Sequence, residues 1–157
     1  SEMCIRDSTT HQITPEFFYK EHFEISDKAI ENKIYLTPLT DRETVAAQLA
    51  DLAFGYRNKF KYYDAFTRLC AEKSLEYYPQ HPKTCIILGK SLDAAYVKHL
   101  KGNGYKEDAY TRQLEAQSAA LHKKLQALGW EAMSEELYDK LEKGNEEGMK
   151  MQEAPTQ

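Results

Sequence analysis

Cysteine, paired histidines, long apolar runs and a dominant charge sign are all scarce in this chain of 157 residues, and each scarcity removes a class of function. Only Cys4, Cys70 and Cys85 occur, and no two of them stand at metal-ligand spacing or could frame a disulfide scaffold. His22, His99 and His122 lack a histidine partner three or four residues away, the spacing that helical metal sites use. No apolar run approaches the roughly 18 residues of a membrane-spanning helix. The net charge of −4 is spread through mixed-sign runs such as Lys140-Leu-Glu-Lys143, so there is no clustered basic face for nucleic acid. Gly102-Asn-Gly104 has no phosphate-loop lysine and serine behind it and reads as a turn.

What is present is helical periodicity. Thr40-Asp-Arg-Glu43 is a capping box, in which the threonine hydroxyl accepts from the third amide and the glutamate reaches back to the cap amide. Val45, Leu49, Leu52, Ala53 and Tyr56 follow as one stripe, which predicts a helix over 41–58 with that stripe in the core. A short link leads to a second helix over 62–78, with Tyr62, Phe66, Leu69, Cys70 and Tyr77 as its buried stripe and Pro79 and Pro82 as its stop. Pro82 suits the first turn of a third helix reaching Leu100, apolar on more than one face and so the most buried. A fourth helix over 106–128 ends at Gly129, Trp130 and Met133 pack back on its end, and a last helix opens at Ser134 and closes near Gly144. Upstream, Asp27 to Asn32 forms a short helix and Ile34-Tyr-Leu-Thr37 a short extended segment ending at Pro38. Residues 15–23, rich in aromatics, leave strand and helix both open.

Leu52, Ala53, Tyr56, Tyr63, Ala65, Leu69, Ser74, Leu75 and Pro79, followed by Leu88-Gly89 and Tyr96, place small, large and proline positions in an order that resembles the tetratricopeptide repeat. That family's helical hairpins bury their faces only by stacking on neighbours. The resemblance implies an all-α fold of antiparallel helical hairpins, about five helices after a short irregular or extended N-terminal segment. It also implies a non-catalytic module for protein or interdomain binding, without cofactor. In that register the first helix of each unit displays Arg57, Asn58, Lys90 and Asp93, the expected contact residues. Two departures stand out: the first unit is about two residues too long before Pro79, and the second has a first helix at least one turn too long.

The ends carry their own expectations. Residues 1–8, Ser-Glu-Met-Cys-Ile-Arg-Asp-Ser, resemble the translation of a sequencing-library transposon end and are expected to be an artefact. Residues 9–39 then read as a connector or remnant of an upstream domain, 40–144 as the helical domain and 145–157 as a mobile tail. The stretch from Ile25 to Thr40, with Leu49-Ala-Asp-Leu-Ala-Phe-Gly-Tyr56 and the helices after it, is similar to the C-terminal part of bacterial transglutaminase-like proteins. There a papain-like cysteine, histidine and aspartate domain precedes a helical region. This implies an alternative role as the accessory half of such an enzyme, with Phe17, Phe18 and Phe23 marking the interface. Cys70 and Cys85 fall on apolar helix faces, and His81 lies in a proline turn, an arrangement that does not suggest an active thiol. Leu114, Leu121 and Leu128 recur every seven residues but span too little chain for a coiled coil, so a monomer is expected. The expected partner is a protein segment or an upstream domain of the same chain, and the compartment is cytoplasmic by default.

Overall fold

The computed structural model describes residues 4–6, 13–132, 134–137, 139 and 143. The fold is all-α, apart from one short ladder, and divides into two compact units, one of residues 1–26 and 131–157 and the other of residues 27–130. In the first unit, strand β1 (Cys4–Arg6) pairs antiparallel with β2 (Ile13–Pro15), Ile5 opposite Thr14. Helix α1 (Glu16–His22) follows, resolving the stretch that the sequence left open. Its Phe18 ring stacks on His22 at 5.2 Å, and Phe17, Phe18 and Phe23 are all exposed. The helix expected from Ser134 and the tail from 145 fall mainly outside the described residues, as does Met133.

The second unit holds α2 (Asp27–Glu31), α3 (Asp41–Phe60), α4 (Ala65–Tyr77), α5 (Pro82–Gly102) and α6 (Ala109–Leu128). Helix α3 packs on α4, α4 on α5, and α5 on α6, while α3 also touches α5, so two antiparallel hairpins lie one on the other. The capping box is present at α3, where the Glu43 amide donates to Thr40 Oγ1 at 3.3 Å and the Thr40 amide to Glu43 Oε2 at 2.8 Å. Gly102 closes α5, and Asn103-Gly104-Tyr105 makes the turn after it, with Gly104 and Tyr105 both left-handed. Gly129 ends α6 at φ +79°, where any Cβ would meet Lys28 Cβ at 2.9 Å. That close approach seats α2 on the end of α6, where Asn32 Nδ2 donates to Leu128 O at 3.3 Å. Ala29 and Ile34 are buried, and the Trp130 amide donates to Leu125 O at 3.0 Å.

Several expectations are corrected. Residues 34–37 are not extended: Lys33 and Leu36 both take positive φ, so the chain bends there. Helix α4 begins at Ala65 because Asp64 caps it, and α6 at Ala109 because Asp108 caps it. The largest correction concerns the core. On α3 the buried residues are Ala46, Ala50 and Ala53, whereas Val45 is 59% and Leu52 52% exposed. On α4 they are Thr67, Cys70, Ala71 and Ser74, with Leu69 55% and Tyr77 53% exposed. Small side chains let helix backbones approach closely, and Ile87 and Leu88 of α5 fill the space over Ala50, Ala53, Cys70 and Ala71. As expected, α5 is the most buried of the helices.

Candidate functional site

The two hairpins are built on a repeated cap. Asp64-Ala-Phe-Thr-Arg68 opens α4 and Asp108-Ala-Tyr-Thr-Arg112 opens α6, 44 positions apart. In each, aspartate Oδ1 accepts from the second and third amides, while the threonine hydroxyl accepts from the aspartate amide and donates to its carbonyl. The remaining aspartate oxygen takes a ring from the preceding helix: Tyr56 Oη donates to Asp64 Oδ2 at 3.0 Å, and His99 Nε2 lies 2.7 Å from Asp108 Oδ2. Hydrogen bonds with Tyr62, and then with Asp64, push the Tyr56 phenol up to about 12. The Thr111 amide, and then His99, hold the Asp108 carboxyl down at about 2. Thr67 and Thr111 are fully buried, and Ser74 and Ser118, also 44 apart, are buried as well.

This correspondence shows which face of the first hairpin lacks a cover. Counted back from the paired rings, Tyr56 eight residues before its cap and His99 nine before its own, Thr44, Val45, Gln48 and Leu52 of α3 match Ile87, Leu88, Ser91 and Ala95 of α5. The α5 set is buried or half-buried against the first hairpin, whereas the α3 set is exposed. Val45 and Leu52 continue through half-buried Leu49 and Tyr56 to the α4 stripe of Phe66, Leu69 and Tyr77. The two stripes join through rings: Tyr56 lies 4.6 Å from Phe66 and 4.5 Å from Phe60, and Tyr62 stands 6.3 Å from Phe60. Ala53 and Cys70 are buried as expected, but the large residues of the two stripes lie on an outer face that is mainly apolar, with the Lys73–Glu76 ion pair between Leu69 and Tyr77.

The opposite end of the stack is different. Where the first hairpin buries Ala50, Ala53 and Ala71, the second has Asp93, Tyr96 and Glu115. Asp93 and Glu115 are exposed, Ser118 Oγ donates to Asp93 Oδ1 at 2.8 Å, and Tyr96 Oη donates to Glu107 at 3.1 Å. A polar outer face of this kind is how a repeat stack is closed off against solvent.

A cleft of about 510 Å³ lies on another side, lined by Tyr35, Leu36, Leu39, Phe54, Ile86 and Trp130, with His81 and Lys83 at its polar edge. Lys83 is held by Asp51 at 2.5 Å and lies 4.7 Å from the centre of the Phe54 ring. His81 stacks on Tyr78 at 4.8 Å, lies 2.6 Å through Nδ1 from Thr84 Oγ1, and is pushed down by burial, which favours its neutral form. The cleft is mainly apolar, with Lys33 and Lys83 among the residues that line it.

Of the contact residues expected from sequence, Arg57 and Asn58 lie together, Arg57 Nη1 donating to Asn58 Oδ1 at 3.1 Å, and Arg57 sits 5.5 Å from the Tyr63 ring centre. Arg57 Nε is buried without a hydrogen-bond partner. Lys90 and Asp93 are exposed on α5, and Asp93 is tied to α6. The outer face itself escaped sequence reasoning, and the repeated Asp-Ala-aromatic-Thr-Arg segment was the signal that could have revealed it. Burial pushes the thiols of Cys70 and Cys85 up, away from a reactive thiolate. Among the described residues no group of three or more histidine, cysteine or acidic side chains could hold a metal ion, and no helix is long and apolar enough to cross a membrane. In comparison with known proteins, no family model, curated protein or solved structure matches this chain.

Proposed function

We propose that the chain is a non-catalytic helical-repeat module of tetratricopeptide-like type, with hairpins lengthened to a 44-residue period, that binds protein through the outer face of α3 and α4. The observation that carries this reading is the exposure of Val45 and Leu52 on α3, whose counterparts Leu88 and Ala95 on α5 are half-buried, beside exposed Leu69 and Tyr77 on α4. Exposed large apolar side chains gathered on one side of a helix pair mark interaction sites on folded proteins. Arg57, Asn58, Lys90 and Asp93 are a secondary polar contact set in the same reading. The test is a photo-crosslinking side chain at position 52 or 69, with position 115 on the polar end as control. Adducts with a polypeptide at 52 and 69 but not at 115 are expected. Equal labelling at all three would refute the assignment.

Exposed Phe17, Phe18 and Phe23 on and beside α1 favour a second reading, that this helical region is the accessory half of a transglutaminase-like enzyme and docks its catalytic domain there. Reading the source gene outward across the Ser8–Thr9 junction tests it. A cysteine, histidine and aspartate in papain-like order upstream is the expected result, and further helical repeats there would refute it.

A further inference from the structure

Resting on the binding reading above, we propose that the occupant of the outer α3–α4 face is a second copy of the same chain, related by a two-fold axis. Three observations point to this partner.

The first is area. Val45, Leu52, Tyr62, Phe66, Leu69 and Tyr77 are each between 38% and 59% exposed. From the size of such side chains, they offer apolar area on the order of 500 Å². A stable interface of ordinary size covers about 800 Å² per partner, rather more than half of it apolar. The face therefore supplies the apolar part of one such interface, and the Lys73–Glu76 pair between Leu69 and Tyr77 belongs to its polar part.

The second is polarity at the two ends of the stack. A second copy docking head to tail would set its Asp93 and Glu115 over Val45 and Leu52, burying carboxylates against an apolar surface. The face can meet itself without that cost. An isologous pairing results, and it closes at two copies because both apolar faces are used up.

The third is charge. Helix α3 carries exposed Asp41 in its first turn and exposed Lys59 in its last, both at helical spacing from Leu52, whereas Glu43 is tied to the Thr40 cap and Arg57 packs inward. A two-fold axis lying in the interface and running across the helix direction lays α3 antiparallel to its mate, so Asp41 of each copy faces Lys59 of the other. Charges arranged in this way fix the register of the pair.

The test is sedimentation equilibrium of the purified full chain from about 1 to 100 μM. Dimers are expected in this range. L52E and L69E each place two carboxylates in the interface and should raise the dissociation constant at least about a hundredfold. Both positions are solvent-exposed, so thermal melting by circular dichroism should show both variants folded. E115K, on the polar end, should leave the dimer intact. A wild-type chain that stays monomeric throughout would overturn the proposal, as would a dimer that survives both substitutions. Failure of the wider reading is separate: a monomer that still yields crosslinks at positions 52 and 69 to a different polypeptide keeps the binding face and removes only the second copy.

Discussion

Replacing Leu52 by alanine and, separately, Ala53 by leucine distinguishes two opposed pictures of the core. If large apolar residues filled it, Leu52→Ala would remove a buried side chain at a cost of about 2–5 kcal/mol, and Ala53→Leu would be mild. In the structure Leu52 is 52% exposed and Ala53 fully buried. Half of the roughly 1.5–3 kcal/mol for burying a leucine gives about 1 kcal/mol for Leu52→Ala. Ala53 lies in the buried cluster with Ala50, Cys70, Ala71 and Ile87, so the extra carbons of Ala53→Leu must push α5 away, at about 1–3 kcal/mol. With melting shifts of about 4 °C per kcal/mol for a unit of this size, Leu52→Ala lowers the midpoint by about 4 °C and Ala53→Leu by up to about 12 °C. The assay is thermal unfolding followed by circular dichroism, at a protein concentration low enough that self-association adds nothing. A larger loss for Leu52→Ala than for Ala53→Leu would refute the packing argument.

Three further outcomes follow from particular contacts. Thr67→Val removes the hydroxyl that serves the Asp64 amide, the Asp64 carbonyl and Ser91, and should cost about 1–3 kcal/mol in urea unfolding, whereas Thr67→Ser restores most of it. Asp108 is depressed from 3.8 to about 2 in the folded state, so its contribution is complete above pH 4 and lost as pH falls through 2. Asp108→Asn should therefore melt below the wild type at pH 7 and converge with it near pH 2, and a constant gap across that window would disprove the assignment. Gly129→Ala forces a side chain into left-handed backbone at 2.9 Å from Lys28 Cβ and should cost more than about 1 kcal/mol, read as a lowered melting midpoint.

Much of the helical layout was legible in the sequence because caps and stops are local. Thr40 with Glu43, Pro82 at the start of α5, the turn around Asn103 and Gly129 at the end of α6 all act through their nearest backbone neighbours. The choice of buried face was not legible, because it is decided between helices. Val45, Leu49, Leu52 and Tyr56 form as regular a stripe as any core, yet the close approach of α5 selects Ala46, Ala50 and Ala53 about a quarter-turn round the helix. The bend at Leu36 was hidden for another reason: a leucine at φ +53° carries no turn signal in its chemistry. The candidate face was missed by the same inversion, its residues having been assigned to the interior.

The joint between the hairpins has a mechanical consequence. Ser74 Oγ donates to Ala46 O at 2.7 Å and lies 2.9 Å from Thr84 Oγ1, which in turn meets His81, while Thr67 meets Ser91 at 3.2 Å. An apolar seam can slide by one helical turn, about 5.4 Å, and find new leucines to rest on. Here such a slip would strand several hydroxyls in a dry interior, so the hairpins cannot ratchet along one another. Sliding one hairpin along the other therefore costs about 1–3 kcal/mol for each hydroxyl left unpaired.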